Sequence, residues 1–229
     1  MKLKNPFRDL TKFELTLWLL GIIATLISFA ASGFDDPFTA IASLIGVTAL
    51  IFVAKGYVLG QILTVIFSLF YGFISFYLKY YGEMITYLGM SAPIAMFTVV
   101  EWLRHPYEGT KEVEIVRLTK KRTIFMIIST AAVTFAFYFI LGALGNASLA
   151  VSTVSVTTSF LASFLLFSRS PYYALAYAAN DIVLIILWVI AAVSDVSYLP
   201  MVMCFVMFLA NDVYGFVNWK RMQKRQKKQ

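Results

Sequence analysis

The chain has 229 residues, of which 60% are hydrophobic and 14% charged, with a formal net charge of +7. A soluble domain is about a quarter charged, so this sequence has too few charges to clothe a water-facing surface, which excludes a soluble enzyme and a disordered chain. A single Cys (Cys204) and a single His (His105) exclude an internal disulfide, a Cys-based metal site and a His cluster.

A helix needs roughly 20 apolar residues to cross the hydrocarbon core of a bilayer. Eight stretches qualify, at about 13–32, 37–54, 57–79, 84–103, 123–143, 148–167, 171–193 and 198–219. The first has an apolar run longer than a signal peptide's roughly 7–15 residues, so it is expected to stay as a helix. The second is short and rich in Ala, Ser and Thr. Polar or turn-forming residues separate the runs, among them Lys55-Gly56, Gly145-Asn146 and Arg169-Ser170-Pro171. The runs are continuous rather than alternating with period two, which disfavours a barrel. The sequence therefore predicts an all-α polytopic membrane protein with eight transmembrane helices.

Lys and Arg placement sets the orientation. With both termini in the cytoplasm, 18 of the 19 basic residues fall on the cytoplasmic side and only Lys79 falls outside. The tail 220–229 reads as a topology determinant near anionic headgroups rather than a nucleic-acid contact. The middle segment 104–122 mixes Glu108, Glu112 and Glu114 with its basic residues and reads as a solvated linker.

Internal repeats are common in transporters. Three spans (37–103) precede the fifth and three (148–219) follow it. Each triplet ends alike, in Glu101-Trp102-Leu103-Arg104 and in Asn218-Trp219-Lys220-Arg221. Gly46-Val47-Thr48 matches Ser155-Val156-Thr157, and Lys55-Gly56 matches Arg169-Ser170. The fifth span restores the direction of the chain, so the two triplets are parallel. The resulting plan is an N-terminal tail and extra helix (1–36), a first bundle (37–103), a loop and linker helix (104–147), a second bundle (148–219) and a basic tail (220–229).

Polar side chains inside spans are costly, so their positions are informative. Gln61, Thr64, Ser68, Tyr71 and Ser75 recur at helical spacing on one face. The matching helix of the second triplet carries Tyr173, Tyr177, Asn180, Asp181 and Trp188. Asn211, Asp212, Tyr214 and Asn218 mark the last helix, and Tyr87, Ser91, Thr98 and Glu101 the fourth. Converging on one cavity, carboxamides and phenols suit hydroxyls and amides, aromatic faces suit a flat ring, and a carboxylate suits a positive ring or a proton. A sugar-linked aromatic cation uses all three. The Ser and Thr residues of 148–163 are expected to bond backbone or pack. Tyr87, Tyr172, Tyr173, Trp102 and Trp219 read as interfacial anchors. Pro93 is expected to kink its helix. No metal-ligand cluster, nucleophile–His pair or ATP motif stands out, so neither an enzyme nor a cofactor is expected.

The run Asn211-Asp212-Val213-Tyr214-Gly215-Phe216-Val217-Asn218-Trp219, followed by Gln226, resembles the last helix of PnuC-type vitamin transporters. So do Ala179-Asn180-Asp181 with Trp188 seven residues on, and Glu101-Trp102 before the middle loop. The resemblance covers about residues 37–221. It implies a 3+1+3 core similar to the SWEET sugar transporters and nicotinamide riboside as substrate. It further implies facilitated diffusion with trapping by a cytoplasmic riboside kinase, a homotrimer, and a place in the bacterial inner membrane. Ring stacking on Trp188 and polar contacts from Asn180, Asn211 and Tyr214 are carried over from the family. Gln61, Ser68, Tyr71, Tyr177, Asp181 and Asp212 are added from the polar stripes. Relatives that carry thiamin or other ring-bearing precursors, and a proton-coupled carrier using Asp181 or Asp212, remain as alternatives.

Overall fold

The computed structural model describes residues 5–31, 37–77, 81–145, 149–194 and 199–227. A 3-10 turn at Pro6–Asp9 leads into α1 (Lys12–Ala31). Then come α2 (Pro37–Ala54), α3 (Val58–Tyr77), the short α4 (Tyr81–Thr86), a π turn (Tyr87–Ser91), and α5 (Ala92–Arg104). The second half holds α6 (Lys120–Ala143), α7 (Leu149–Phe167), α8 (Tyr173–Ser194) and α9 (Leu199–Gln226). Among the described residues there is no strand, only isolated bridges such as Tyr57 with Glu112.

Six stretches are long and apolar enough to cross a membrane: Lys12–Ala31, Val58–Phe76, Met84–Arg104, Lys120–Ala143, Leu149–Phe167 and Val202–Gln226. Two more, Ala40–Ala54 in α2 and Tyr173–Ile186 in α8, are apolar but shorter. Eight transmembrane helices were expected; among the described residues six stretches qualify as spans, and the other two apolar stretches belong to α2 and α8, which run over 18 and 22 residues.

The π turn has a local cause. Pro93 lacks an N–H, and its ring crowds the carbonyl four residues back. The preceding turn widens, and the Ala92 N–H reaches the Tyr87 carbonyl five residues away. α4, the π turn and α5 thus run as one continuous helical stretch.

The packing neighbours are consistent all the way round. α2 lies against α3, α3 against α5, α5 against α7, α7 against α8, α8 against α9, and α9 against α2. These six helices close a ring. α1 packs outside it in the groove between α2 and α9, and α6 packs on α7. At the α2/α3 corner Gly60 permits backbone contact: a Cβ there would lie 2.4 Å from the Val53 nitrogen.

The two halves join at one end of the ring, where the basic residues gather. Trp102 at the end of α5 donates its indole N–H to the Leu166 carbonyl of α7 (3.3 Å). Trp219 of α9 donates likewise to the Val53 carbonyl of α2 (3.0 Å). Both rings are fully buried and lie 5.5 Å apart. α2 and α7 end in the same reversal. Gly56 and Tyr57 bond back to Val53 and Phe52, and Arg169 and Ser170 bond back to Leu166 and Leu165. Gly56 and Arg169 both adopt positive φ, 68° and 56°. Gly56 therefore corresponds to Arg169, one position away from the sequence match of Lys55-Gly56 with Arg169-Ser170. The middle segment is not a free linker either. Its Val113 and Val116 N–H groups bond the Gly56 and Arg169 carbonyls, and Gln226 clasps Val113 and Ile115.

Trp102, Trp219 and Tyr173 also depart from the sequence expectation of interfacial anchors. All three are buried in one cluster with Val113, Leu166 and Met222. An indole at a helix end can anchor to headgroups or satisfy an orphan carbonyl of a neighbouring helix. Here the neighbouring helix ends are close enough for the second use. Tyr172, half exposed, keeps an anchor's position under Lys220.

Candidate functional site

α3 turns a small and polar face inward. Gln61, Ser68, Gly72 and Ser75 are buried, while Ile62, Ile66, Phe70, Phe73 and Phe76 on the other face are exposed. This is the reverse of a soluble amphipathic helix, as lipid-facing helices require. Thr64 bonds its own backbone at Gly60 (2.9 Å). Tyr71 packs against Tyr87 and Phe67, ring centroids 4.5 and 5.6 Å away.

On the facing half, Asn180 and Asp181 of α8 and Asn211 and Asp212 of α9 are all buried. Asn180 Oδ1 accepts from Ser155 Oγ (3.0 Å) and Thr158 Oγ1 (2.9 Å), which ties α8 to α7. Asp181 and Asp212 are near neighbours across α8 and α9. Gln61 Nε2, Asp181 Oδ2 and Asn211 Oδ1 are buried without a hydrogen-bond partner among the described residues. Unpaired buried polar atoms cost about 1–3 kcal/mol each. These three atoms lie on three helices of the ring, α3, α8 and α9. Asn211 also borders a small gap shared with Trp18 of α1 and Val47 of α2.

The remaining predicted residues lie elsewhere. Tyr177 shares a hydrogen bond with Ser163 (2.9 Å) and packs beside Tyr173. Tyr214 donates its hydroxyl to Glu14 Oε1 of α1 (2.6 Å). Trp188 lies in α8, but its side chain falls outside the described residues. The expected role of the 148–163 hydroxyls holds in part. Thr153 and Thr157 bond carbonyls one turn back, whereas Ser155 and Thr158 also hold Asn180.

Two groups escaped the sequence reading. Glu14, in the first turn of α1, is buried and accepts both Lys55 Nζ contacts (3.0 and 2.9 Å) as well as the Tyr214 hydroxyl. Arg169, counted only as a basic turn, is buried with its guanidinium 3.4 Å from Glu101 and 3.0 Å from Glu114. Neither has a sequence signal, because the partners lie far along the chain. A cavity of about 540 Å³ opens beside Glu14 and Tyr214, bordered by Lys55, Asn218, Arg221 and Arg225. At this end burial, with Asp9 and Glu112 nearby, pushes the Tyr57 phenol up to about 12.

Comparison with known proteins gives a consistent answer. Residues 36–221 match the family described as nicotinamide mononucleotide transporter. The chain is 29% identical to the nicotinamide riboside transporter PnuC of Neisseria mucosa, over 97% of this chain and 86% of that protein. It is 26% identical to the nicotinamide riboside transporter PnuC of Haemophilus influenzae, over 98% of this chain and 97% of that one. Among solved structures, the crystal structure of the vitamin B3 transporter PnuC superposes with a TM-score of 0.80 at 26% identity, covering 95% of this chain and 94% of that one.

Proposed function

The chain belongs to the nicotinamide mononucleotide transporter family, and on that premise we propose that it carries nicotinamide riboside across the bacterial inner membrane by facilitated diffusion. It is a multi-pass membrane transporter and not an enzyme, as its named relatives are. The observation that carries the substrate reading is the buried polar lining of the ring. Gln61, Asp181 and Asn211 each hold a side-chain atom with no hydrogen-bond partner among the described residues. A riboside offers hydroxyls to the amides, and its cationic ring suits the Asp181–Asp212 pair.

The mechanism we favour is alternating access between two triplets, α2–α3–α5 and α7–α8–α9, joined by α6 in a 3+1+3 plan like that of SWEET transporters. Support comes from the order of packing round the ring. Exchanging α2 with α7, α3 with α8 and α5 with α9 maps that order onto itself. The paired bonds Trp102–Leu166 and Trp219–Val53 obey the same exchange. In this reading both termini and the basic end face the cytoplasm, a riboside kinase there traps the product, and the protein assembles as a homotrimer.

The test is uptake into liposomes with a panel of nicotinamide riboside, thiamin, riboflavin and glucose. Nicotinamide riboside is expected to be carried, and Asn211→Ala to weaken its binding about tenfold, the worth of one or two hydrogen bonds. Preference for thiamin would transfer the same site to a different ring-bearing precursor. A second reading, proton coupling, is favoured by the two buried, neighbouring carboxyls of Asp181 and Asp212. Uptake indifferent to an imposed pH gradient removes it.

A further inference from the structure

Glu14 lies in α1, outside the segment matched by the family and outside the ring. We propose that Glu14 is a positioning residue for transport: its carboxylate bridges Lys55 at the end of α2 to Tyr214 of α9, and so latches the two triplets together at the α2/α9 seam. The proposal rests on the alternating-access reading above and adds which groups must part.

One role of Glu14 is local. Thr11 and Glu14 form a capping box, with Thr11 Oγ1 accepting from the Glu14 N–H (3.3 Å) and Glu14 Oε2 accepting from the Thr11 N–H (2.6 Å). That role needs no burial and no distant partner. Yet Glu14 is 1% exposed, takes the Lys55 ammonium on both oxygens, and takes the Tyr214 hydroxyl at 2.6 Å. Phe13 adds a ring contact to Tyr214 at 5.1 Å. The cap explains one of these links and leaves the other two unexplained.

The position of the two partners supplies the explanation. Lys55 belongs to the first triplet and Tyr214 to the second. α9 and α2 meet here through two further links, Asn218 Nδ2 to the Ala54 carbonyl (2.9 Å) and Trp219 Nε1 to the Val53 carbonyl (3.0 Å). Both run directly from α9 to backbone at the end of α2. The Glu14 link is charged, runs through side chains, and is supplied by a third helix that packs on both. If the triplets part at this end, the carboxylate must give up one side. The 540 Å³ cavity beside it leaves room for Tyr214 to move away.

The far seam, α5 with α7, is bridged by an ion pair too, Glu101 with Arg169. There Arg169, in the turn after α7, pairs with Glu101 of α5 and with Glu114 of the middle segment, and no outer helix takes part among the described residues. Glu14 therefore makes α1 a working part of one seam only.

The experiment places spin labels at Leu103 and Lys224, exposed residues of the two triplets, in a Cys204→Ser background. It reads their distance distribution together with nicotinamide riboside binding and uptake. Glu14→Gln and Tyr214→Phe are each expected to populate a longer distance. Glu14→Gln should also change the maximal uptake rate by about threefold or more while the Kd moves less, as a shift between states rather than a lost contact requires. Tyr214→Phe keeps the capping box and the Lys55 pair, so it reports even if Glu14→Gln does not fold. Thr11→Val disturbs only the cap and is expected to leave the distances unchanged. Parental distances in the variants, or a Thr11→Val result equal to Glu14→Gln, overturn the latch. A parent that neither binds nor carries nicotinamide riboside overturns the substrate reading instead, and the distances still decide the latch.

Discussion

The α2/α9 and α5/α7 seams start from the same device and finish with different ones. Each carries a buried tryptophan whose indole satisfies a carbonyl of the neighbouring helix end, Trp219 to Val53 and Trp102 to Leu166. Beyond that, the α2 end turns on Gly56 and is pinned by Glu14 from outside the ring. The α7 end turns on Arg169, whose guanidinium holds Glu101 of α5 and Glu114 of the middle segment. The common part is backbone geometry, an indole meeting a helix-end carbonyl beside a turn of positive φ. The different part is charge placement, which each half has solved with the residues within its reach. A turn that needs positive φ is cheapest with glycine. At that position Arg169 forms ion pairs with Glu101 and Glu114 that a glycine could not.

The largest test of the common part is removal of an indole. Trp219→Ala and Trp102→Ala are each expected to cost about 3–5 kcal/mol, chiefly through the cavity left in a close-packed cluster. Trp219→Ala should cost more, since Tyr173 also packs on that ring at 4.7 Å. Thermal unfolding in detergent measures both, and a negligible loss at either would mean that this seam is held by something else.

A smaller effect sharpens the difference between the seams. Arg169→Gly makes the second turn resemble the first. It removes roughly 1–2 kcal/mol of left-handed strain but leaves Glu101 without its buried partner, a loss of about 3–5 kcal/mol for a well-buried pair. The net expectation is destabilisation of about 2 kcal/mol, after discounting for the partial exposure of Glu101. A variant as stable as the parent would assign the α5/α7 seam to its tryptophan alone.

The smallest effect lies outside the seams. Lys220 donates to the Tyr172 hydroxyl (3.1 Å) and sits 4.1 Å from its ring centre, and that bond holds the Tyr172 phenol below its usual value. Lys220→Met is expected to move the Tyr172 titration upward, followed by tyrosinate absorbance, with the unfolding midpoint unchanged. A shifted midpoint would show that this surface contact shares in closing the basic end.

The spans and the α3 stripe were legible because both depend on local periodicity. Gln61, Ser68 and Ser75 share a face whatever the rest of the fold does. The match between Trp102 and Trp219 was legible, because the residue types agree and each indole bonds a carbonyl at the end of a neighbouring helix. The match of the α2 and α7 ends slipped by one because Lys55 was matched with Arg169 on charge, whereas the backbone pairs Gly56 with Arg169 on conformation. The tryptophans were read as anchors because hydropathy locates a residue along the membrane normal but not around the ring. Glu14 was missed for a simpler reason. Its partners Lys55 and Tyr214 are 41 and 200 positions away, and no spacing rule spans that distance.

The π turn ahead of Pro93 changes more than the line of its helix. An α-helix advances roughly 100° per residue, so one extra residue in a turn rotates everything after it by about that angle relative to everything before. Tyr87, at the start of the turn, packs at a tilt against Tyr71 of α3. Trp102, on the late side, reaches α7. With regular winding throughout, a single stripe would have had to serve both neighbours. The inserted residue gives one continuous rod two independent faces, so each end can be adapted to its own partner without disturbing the other.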